Sequence, residues 1–252
     1  MNKNQKPKLK AIVLAAGVGS RLNETTNHIP KGMIRVNGKY IFEIILENLS
    51  QAGIKEVIFV LGYQRKMFMP LIQTASRHLG IKVTFVINTR YRETNTMYSF
   101  WLARRHLDSA FIYLHGDLIF GKKMLKKIIK AHSSNAVLVD TKFPMDWDDA
   151  MKIISHRDEI KYMSKSITIH EMDGIAIGVY KFSKRGAKNL ISIVNRLVRR
   201  KVKNVWISEA INIMAKTTKI KCEKNPGFAW VDVDNLADLD MANIIYGKIE
   251  RE

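Results

Sequence analysis

Residues 11–15 read AIVLA, apolar at every position, and the run stops at Gly17. A strand with no polar side has no face to offer water, so it suits a sheet covered on both faces, the arrangement of parallel strands. The pattern recurs. Residues 56–61 (EVIFVL) read as a second buried strand closed by Gly62, residues 82–87 as a further strand, and residues 110–114 as another that leads into Gly116 and Asp117. Between them the apolar spacing changes to that of a helix. Ile41, Ile44, Ile45 and Leu49 fall on one face of residues 40–52, and Gly53 ends that helix. Residues 64–79 read as a helix that Pro70 kinks or starts, and residues 95–107 as another.

This alternation predicts an α/β fold with a Rossmann-like, mixed but mostly parallel sheet and helices on both faces. Ligands in such sheets bind beyond the carboxyl ends of the strands. Gly17, Gly62 and Asp117 stand at strand ends, so the pattern points to one shared crevice. The second half is less regular. It predicts a strand at 135–140, a hairpin of 151–154 with 159–163, and a strand at 175–182. Helices follow at 183–200 and 206–214, then short strands at 218–223 and 230–233, and a closing helix from near 235. With no repeat, low-complexity tract or linker, the chain reads as a basic segment, 1–10, and a single domain, 11–252.

Composition narrows the class. No apolar run reaches the roughly 18 residues of a membrane span, and residues 1–10 lack the apolar stretch of a secretory leader. Cys222 is the single cysteine, which excludes an internal disulfide and a cysteine metal cluster. A cytoplasmic location is the expectation. Lys and Arg total 42 against 23 Asp and Glu, a net +19 that favours anionic partners. The densest run, RLVRRKVK at 196–203, is expected to be a solvated helix face. No basic segment is interleaved with aromatics for base stacking, so neither DNA nor RNA is an expected partner. The oligomeric state has no signature in the sequence.

The chemistry concentrates in LAAGVGSRL at residues 14–22, followed by Pro30 and Lys31. Small residues after a buried strand let backbone N–H groups approach a phosphate chain. Arg21 and Lys31 add positive charge where phosphoryl transfer gathers negative charge. A P-loop is excluded, because no Gly-Lys-Ser/Thr follows. A dinucleotide fingerprint is excluded because Leu22 stands where its third glycine belongs.

The segment resembles the signature of the sugar-phosphate and alcohol-phosphate nucleotidyltransferases, in which a glycine-rich turn wraps a nucleoside triphosphate. The resemblance assigns nucleotide contacts to Leu14, Ala16, Gly17, Gly19 and Ser20, and catalytic charge to Arg21 and Lys31. Many relatives carry Thr-Pro after the Arg-Leu pair, where this chain has Asn23 and Glu24. Asn95 to Ser99, NTMYS, resembles a helix start found in the cytidylyltransferases for phosphocholine, aminoethylphosphonate and inositol phosphate. It implies that Asn95 and Ser99 lie beside the nucleotide. Asn95 also suits a helix cap.

Gly116-Asp117 occupies the place of the family's metal aspartate. Residues 230–234, WVDVD, resemble its C-terminal segment, in which Asp234 is the better match to the second metal ligand and Asp232 the runner-up. Mg2+ is the implied cofactor, since it takes oxygen ligands and shares substrate phosphates. Residues 11–120 then form the nucleotide-binding half and 121–252 the acceptor-binding half. Lys152 and Lys165 are candidates for the acceptor's phosphate, and Glu171 or Asp173 for its amine or hydroxyl. Trp101, Trp147 and Trp230 are candidates for an aromatic pocket. His28 and His115 are expected to be structural.

The implied reaction uses CTP and a small phosphorylated alcohol or phosphonate. Sugar-1-phosphate nucleotidyl transfer and a non-catalytic regulatory role are the alternatives.

Overall fold

A computed structural model of the protein describes residues 9–19, 29–142 and 149–250. The sequence alternation becomes β1 (Lys10–Ala15), the short hairpin β2 (Arg35–Val36) and β3 (Lys39–Tyr40), α1 (Ile41–Gln51), β4 (Glu56–Leu61), α2 (Arg65–His78), β5 (Lys82–Ile87), α3 (Thr96–Ala103) and β6 (Phe111–His115). Strands β5, β4, β1 and β6 pair in parallel in that order. Along β1, Ala11 and Val13 enter one core while Ile12 and Leu14 enter the other. The strand is buried on both faces because two layers of helices cover it.

The remaining elements are β7 (Leu118–Phe120), α4 (Lys122–Lys130), β8 (Asn135–Asp140), β9 (Lys152–His156), β10 (Glu159–Ser164), β11 (Gly174–Phe182), α5 (Lys184–Arg199), α6 (Ile207–Ala215), β12 (Lys221–Lys224), β13 (Trp230–Asp232) and α7 (Leu236–Ile249). The nine-stranded sheet runs β5-β4-β1-β6-β11-β8-β12-β10-β9. Strand β9 also pairs back to β11, so the last strands return on themselves as a ring. Helices α1, α2, α4 and α7 cover one face, and α3, α5 and α6 the other.

Several boundaries differ from the sequence reading. Pro70 lies inside α2, which starts earlier at Arg65. Helix α3 stops at Ala103 and continues as a 3-10 turn, Arg104–His106, with the Arg104 guanidinium donating to the Trp101 carbonyl at 2.7 Å. Strand β12 begins only at Lys221, because the N–H groups of Thr217 and Thr218 still bond the Met214 carbonyl at the end of α6. The β9–β10 hairpin turns on Arg157 and Asp158, with φ of 52° and 57°, the signature of a two-residue type I′ turn. Strand β7 and helix α4 are elements the sequence pattern did not announce. No helix among the described residues is long and apolar enough to cross a membrane.

One buried amide locks the ring to its covering helix. The Asn212 side chain on α6 accepts from the Met163 N–H at 2.8 Å and donates to the Met163 carbonyl at 2.9 Å, copying a strand neighbour for β10. Asn212→Ala leaves both buried backbone groups without partners. At about 1–3 kcal/mol for each orphaned group, the variant should lose about 3 kcal/mol in a urea unfolding titration.

Candidate active site

Beyond the carboxyl ends of β1, β5 and β6 lies a crevice of about 460 Å³. Its floor depends on the β7–β13 ribbon. Leu118 pairs with Asp232, and the Val233 N–H donates to the Asp117 carbonyl at 3.0 Å. The pairing brings Asp117, just after β6, beside Asp232 and Asp234 from the far end of the chain. Gly116 makes the close approach possible: a Cβ there would stand 2.6 Å from the Ala15 Cβ and 2.7 Å from the Leu14 carbonyl.

Lys31 reaches this floor from a 3-10 turn, Lys31–Met33, entered through Pro30. Its ammonium donates to Asp117 Oδ2 at 3.0 Å and to Asp234 Oδ1. Gly19, with φ of 67°, lies over the lysine stem, where a Cβ would stand 2.8 Å from Lys31 Cγ. Only a glycine combines that backbone with that proximity. The Asp238 carboxylate accepts from the N–H groups of Asp234 and Asn235 at 2.9 and 3.0 Å, which fixes the chain at the start of α7.

Charges are strongly coupled here. Burial works against the Lys31 ammonium, but Asp117, Asp232 and Asp234 outweigh it and raise its pKa. Burial also works against the Asp117 carboxylate, yet Lys31 holds its pKa below the usual range. Asp232 is pushed far up, first by burial and then by the charge of Asp117. Its Oδ1 is buried with no hydrogen-bond partner. His115, Asp117 and Asp232 offer ligand atoms within 4.8 Å of one another. Burial holds the His115 imidazole below its ordinary pKa, against the raising effect of Asp117.

Leu14, Ala16, Gly17 and Gly19 all line the crevice, as do Asn95 and Ser99. Ser20, Arg21, His28 and Trp147 lie outside the described residues. Gly62 sits behind the crevice lining, where a Cβ would meet the Ala16 carbonyl at 2.6 Å. Asn95 caps α3, its side chain accepting from the Thr96 N–H at 2.8 Å. Asn88 is a lining residue the sequence reading passed over. Its amide donates to Thr94 Oγ1 and Ser99 Oγ, both at 3.1 Å, and its Oδ1 accepts from the Arg90 N–H at 2.9 Å. Its signal was available: it is a polar residue just after a parallel strand, like Asp117.

At the other end, Lys165 lines the crevice, pairs with Asp149 at 2.6 Å and stands 4.4 Å from the centre of the Trp206 ring. The structure does not bring Lys152 or Glu171 to the crevice lining. Lys152 is buried and donates to the Lys165 carbonyl at 2.9 Å, supporting the strand from behind. Glu171 closes a turn on Thr168, and Asp173 accepts from Ser155. Of the tryptophans, Trp230 and Trp206 face the crevice. Trp101 instead lies between α3 and α5, with its indole N–H on Asn195 at 3.0 Å.

The chain matches the Nucleotidyl transferase family over residues 10–152, more than half its length. The protein is a member of that family. Among relatives of this nucleotidyltransferase, a CTP:phosphoglutamine cytidylyltransferase from Campylobacter jejuni is 25% identical, with 92% of this chain and 98% of the relative covered. A CMP-5'-(3-aminopropyl)phosphonate synthase from Streptomyces rubellomurinus is 35% identical over 129 residues, 51% of this chain and 20% of the relative. A bifunctional IPC transferase and DIPP synthase from Aquifex aeolicus is 24% identical over 92% of this chain. There the match spans 50% of the relative's length. The fold matches the inositol-1-phosphate CTP transferase from T. maritima with a TM-score of 0.82 at 21% identity, covering 96% of both chains. The expected nucleotidyltransferase fold is thereby established.

Lys31→Met removes the cation that joins two partly buried carboxylates. The side chains concerned keep 17–25% exposure, which puts the cost at the low end for breaking a buried pair, about 3 kcal/mol. Chemical unfolding of the variant beside the parent chain measures it.

Proposed function

We propose that this enzyme transfers CMP from CTP to a small phosphorylated alcohol or phosphonate, with Mg2+ as cofactor. The observation that carries the reading is the meeting of Lys31 with Asp117, Asp232 and Asp234 under the glycine turn, in a family of nucleotidyl transferases. The donor set suits magnesium: carboxylate oxygens predominate, and the buried Oδ1 of Asp232 has no protein partner. That orphaned oxygen favours Asp232 beside Asp117 as the inner pair, with Asp234 held on Lys31. A bound magnesium ion would draw charge from the phosphate oxygens at the reacting centre.

The acceptor's phosphate or phosphonate oxygen attacks the α-phosphorus of CTP. One P–O bond forms there while the bond to the leaving pyrophosphate breaks. The nucleophile is already ionised at neutral pH, so no side chain need act as general base. The chain's task is to position the reactants and neutralise charge. Lys31 and, by its place in the sequence motif, Arg21 offset the charge of the pyrophosphate. Asn88, Asn95 and Ser99 border the nucleotide end of the crevice, and Lys165 receives the acceptor's phosphate. Lys152 and Glu171 contribute indirectly, Lys152 by holding the Lys165 backbone.

Pyrophosphate release, measured with each nucleoside triphosphate against phospho-alcohols, phosphonates and sugar-1-phosphates, tests this directly. The expected result is release with CTP and a phospho-alcohol or phosphonate, lost in Asp117→Asn. Release confined to UTP, dTTP or GTP with a sugar phosphate would overturn the substrate assignment. Lys31→Met should lower turnover on the order of 100-fold, the effect of removing one electrostatic stabiliser. Turnover within a few-fold of the parent, from folded variant, would remove Lys31 from this role.

A further inference from the structure

The reaction leaves a long cationic helix face unused. Helix α5 reads KRGAKNLISIVNRLVR and contains no acidic residue. Its apolar residues Leu190, Ile193, Val194 and Val198 enter the core. Facing away from the core, Arg185, Lys188, Ser192, Arg196 and Arg199 are all exposed and recur at intervals of three and four residues. They therefore form one stripe, about 21 Å long at the rise of an α-helix. The chain then continues through Arg200 and Lys201, both exposed. Among the described residues, no cation of α5 takes part in an ion pair, although Lys10, Arg90 and Lys224 elsewhere on the surface each find a carboxylate.

An unpaired row of like charges repels itself, and an external anionic surface relieves that repulsion. The row's geometry decides which kind of surface fits. Helix α5 lies flat on α3, α6 and β11, so it presents its flank. Its N-terminus, the end that would probe a nucleic-acid groove, is capped by Ser183, which is bonded to Asn135 in the body of the protein. The stripe has no aromatic side chain on which a base could stack. A flat cationic flank without stacking groups or a groove-entering tip matches a plane of anionic headgroups.

We infer that the α5 flank is a docking surface for anionic lipid membranes, which the enzyme binds peripherally through charge. The surface lies outside the crevice, so its test is separate from that of the reaction. Each basic residue near an anionic bilayer changes partitioning by about fivefold.

The full chain is sedimented with vesicles of phosphatidylcholine alone and of phosphatidylcholine mixed with phosphatidylglycerol, over a salt series. Binding is expected only to the mixed vesicles and should fall as salt rises. Lys188→Gln/Arg196→Gln/Arg199→Gln should bind about 100-fold more weakly while keeping the parent's unfolding temperature and pyrophosphate release. Lys126→Gln/Lys127→Gln/Lys130→Gln, on α4 across the sheet, removes the same charge and should bind like the parent. Equal losses in the two variants would mean that net charge, not this face, drives binding, and would overturn the proposal. So would failure of the parent chain to pellet with the mixed vesicles. Tighter binding of random duplex DNA than of the mixed vesicles at the same salt would overturn it too, and assign the flank to nucleic acid.

Discussion

The Lys31 ammonium stands among carboxylates that the fold draws together from distant parts of the chain. It bonds Asp117, 86 residues away, and Asp234, 203 residues away, and feels the charge of Asp232. Carboxylates this close repel one another, and burial adds to the cost of their charge. A cation must therefore stand among them for the floor of the crevice to exist. The fold meets that condition geometrically. Parallel pairing of β1 with β6 brings the glycine turn beside Asp117, and the β7–β13 ribbon adds the C-terminal aspartates.

The same constraint explains the small residues around the cluster. Gly116 lets β6 and β1 close up behind Asp117, and Gly19 lets the glycine turn fold over the lysine stem. Neither residue supplies chemistry. Both remove the bulk that would hold the charged groups apart. The likeness to cytidylyltransferases and the crevice geometry support one reading, in which a pre-set electrostatic floor receives a triphosphate.

Much of the fold was legible because the first half is patterned by burial on both faces. The runs that became β1, β4 and β6 are almost wholly apolar, and their glycine or aspartate endings marked the crevice, whereas β5, at the sheet edge, carries Lys82 and Thr84 and is only partly buried. Helix α4 escaped notice, since Met124, Leu125 and Ile128 give it barely one turn of apolar repeat among lysines. Strand β7 escaped because three residues are too few for a period. At the site, Gly19, Lys31 and Asp117 stood in recognisable surroundings. Asp232 and Asp234 were harder to rank: residues two apart on an extended chain point the same way, and while Asp234 bonds Lys31, Asp232 acts on it through charge alone. The acceptor end was the least legible. Alternation in β9 and β10 shows that a residue points to one side or the other, but not which side faces the crevice. Lys152 therefore looked equivalent to Lys165, although it turns inward to the Lys165 carbonyl. Trp206 draws meaning only from the fold, which brings it under Lys165.

Strand β11 pairs with β6 on one side and with β8 and β9 on the other. It thus belongs at once to the parallel sheet and to the ring. A rigid swing of the ring toward the nucleotide side would have to break the pairing of residues 179–182 with residues 111–114, the strand that leads directly to Asp117. Among the described residues, the two ends of the crevice are therefore joined by continuous strand pairing. Side chains can change in the ring's loops without disturbing the strand pairing that sets the floor of the crevice.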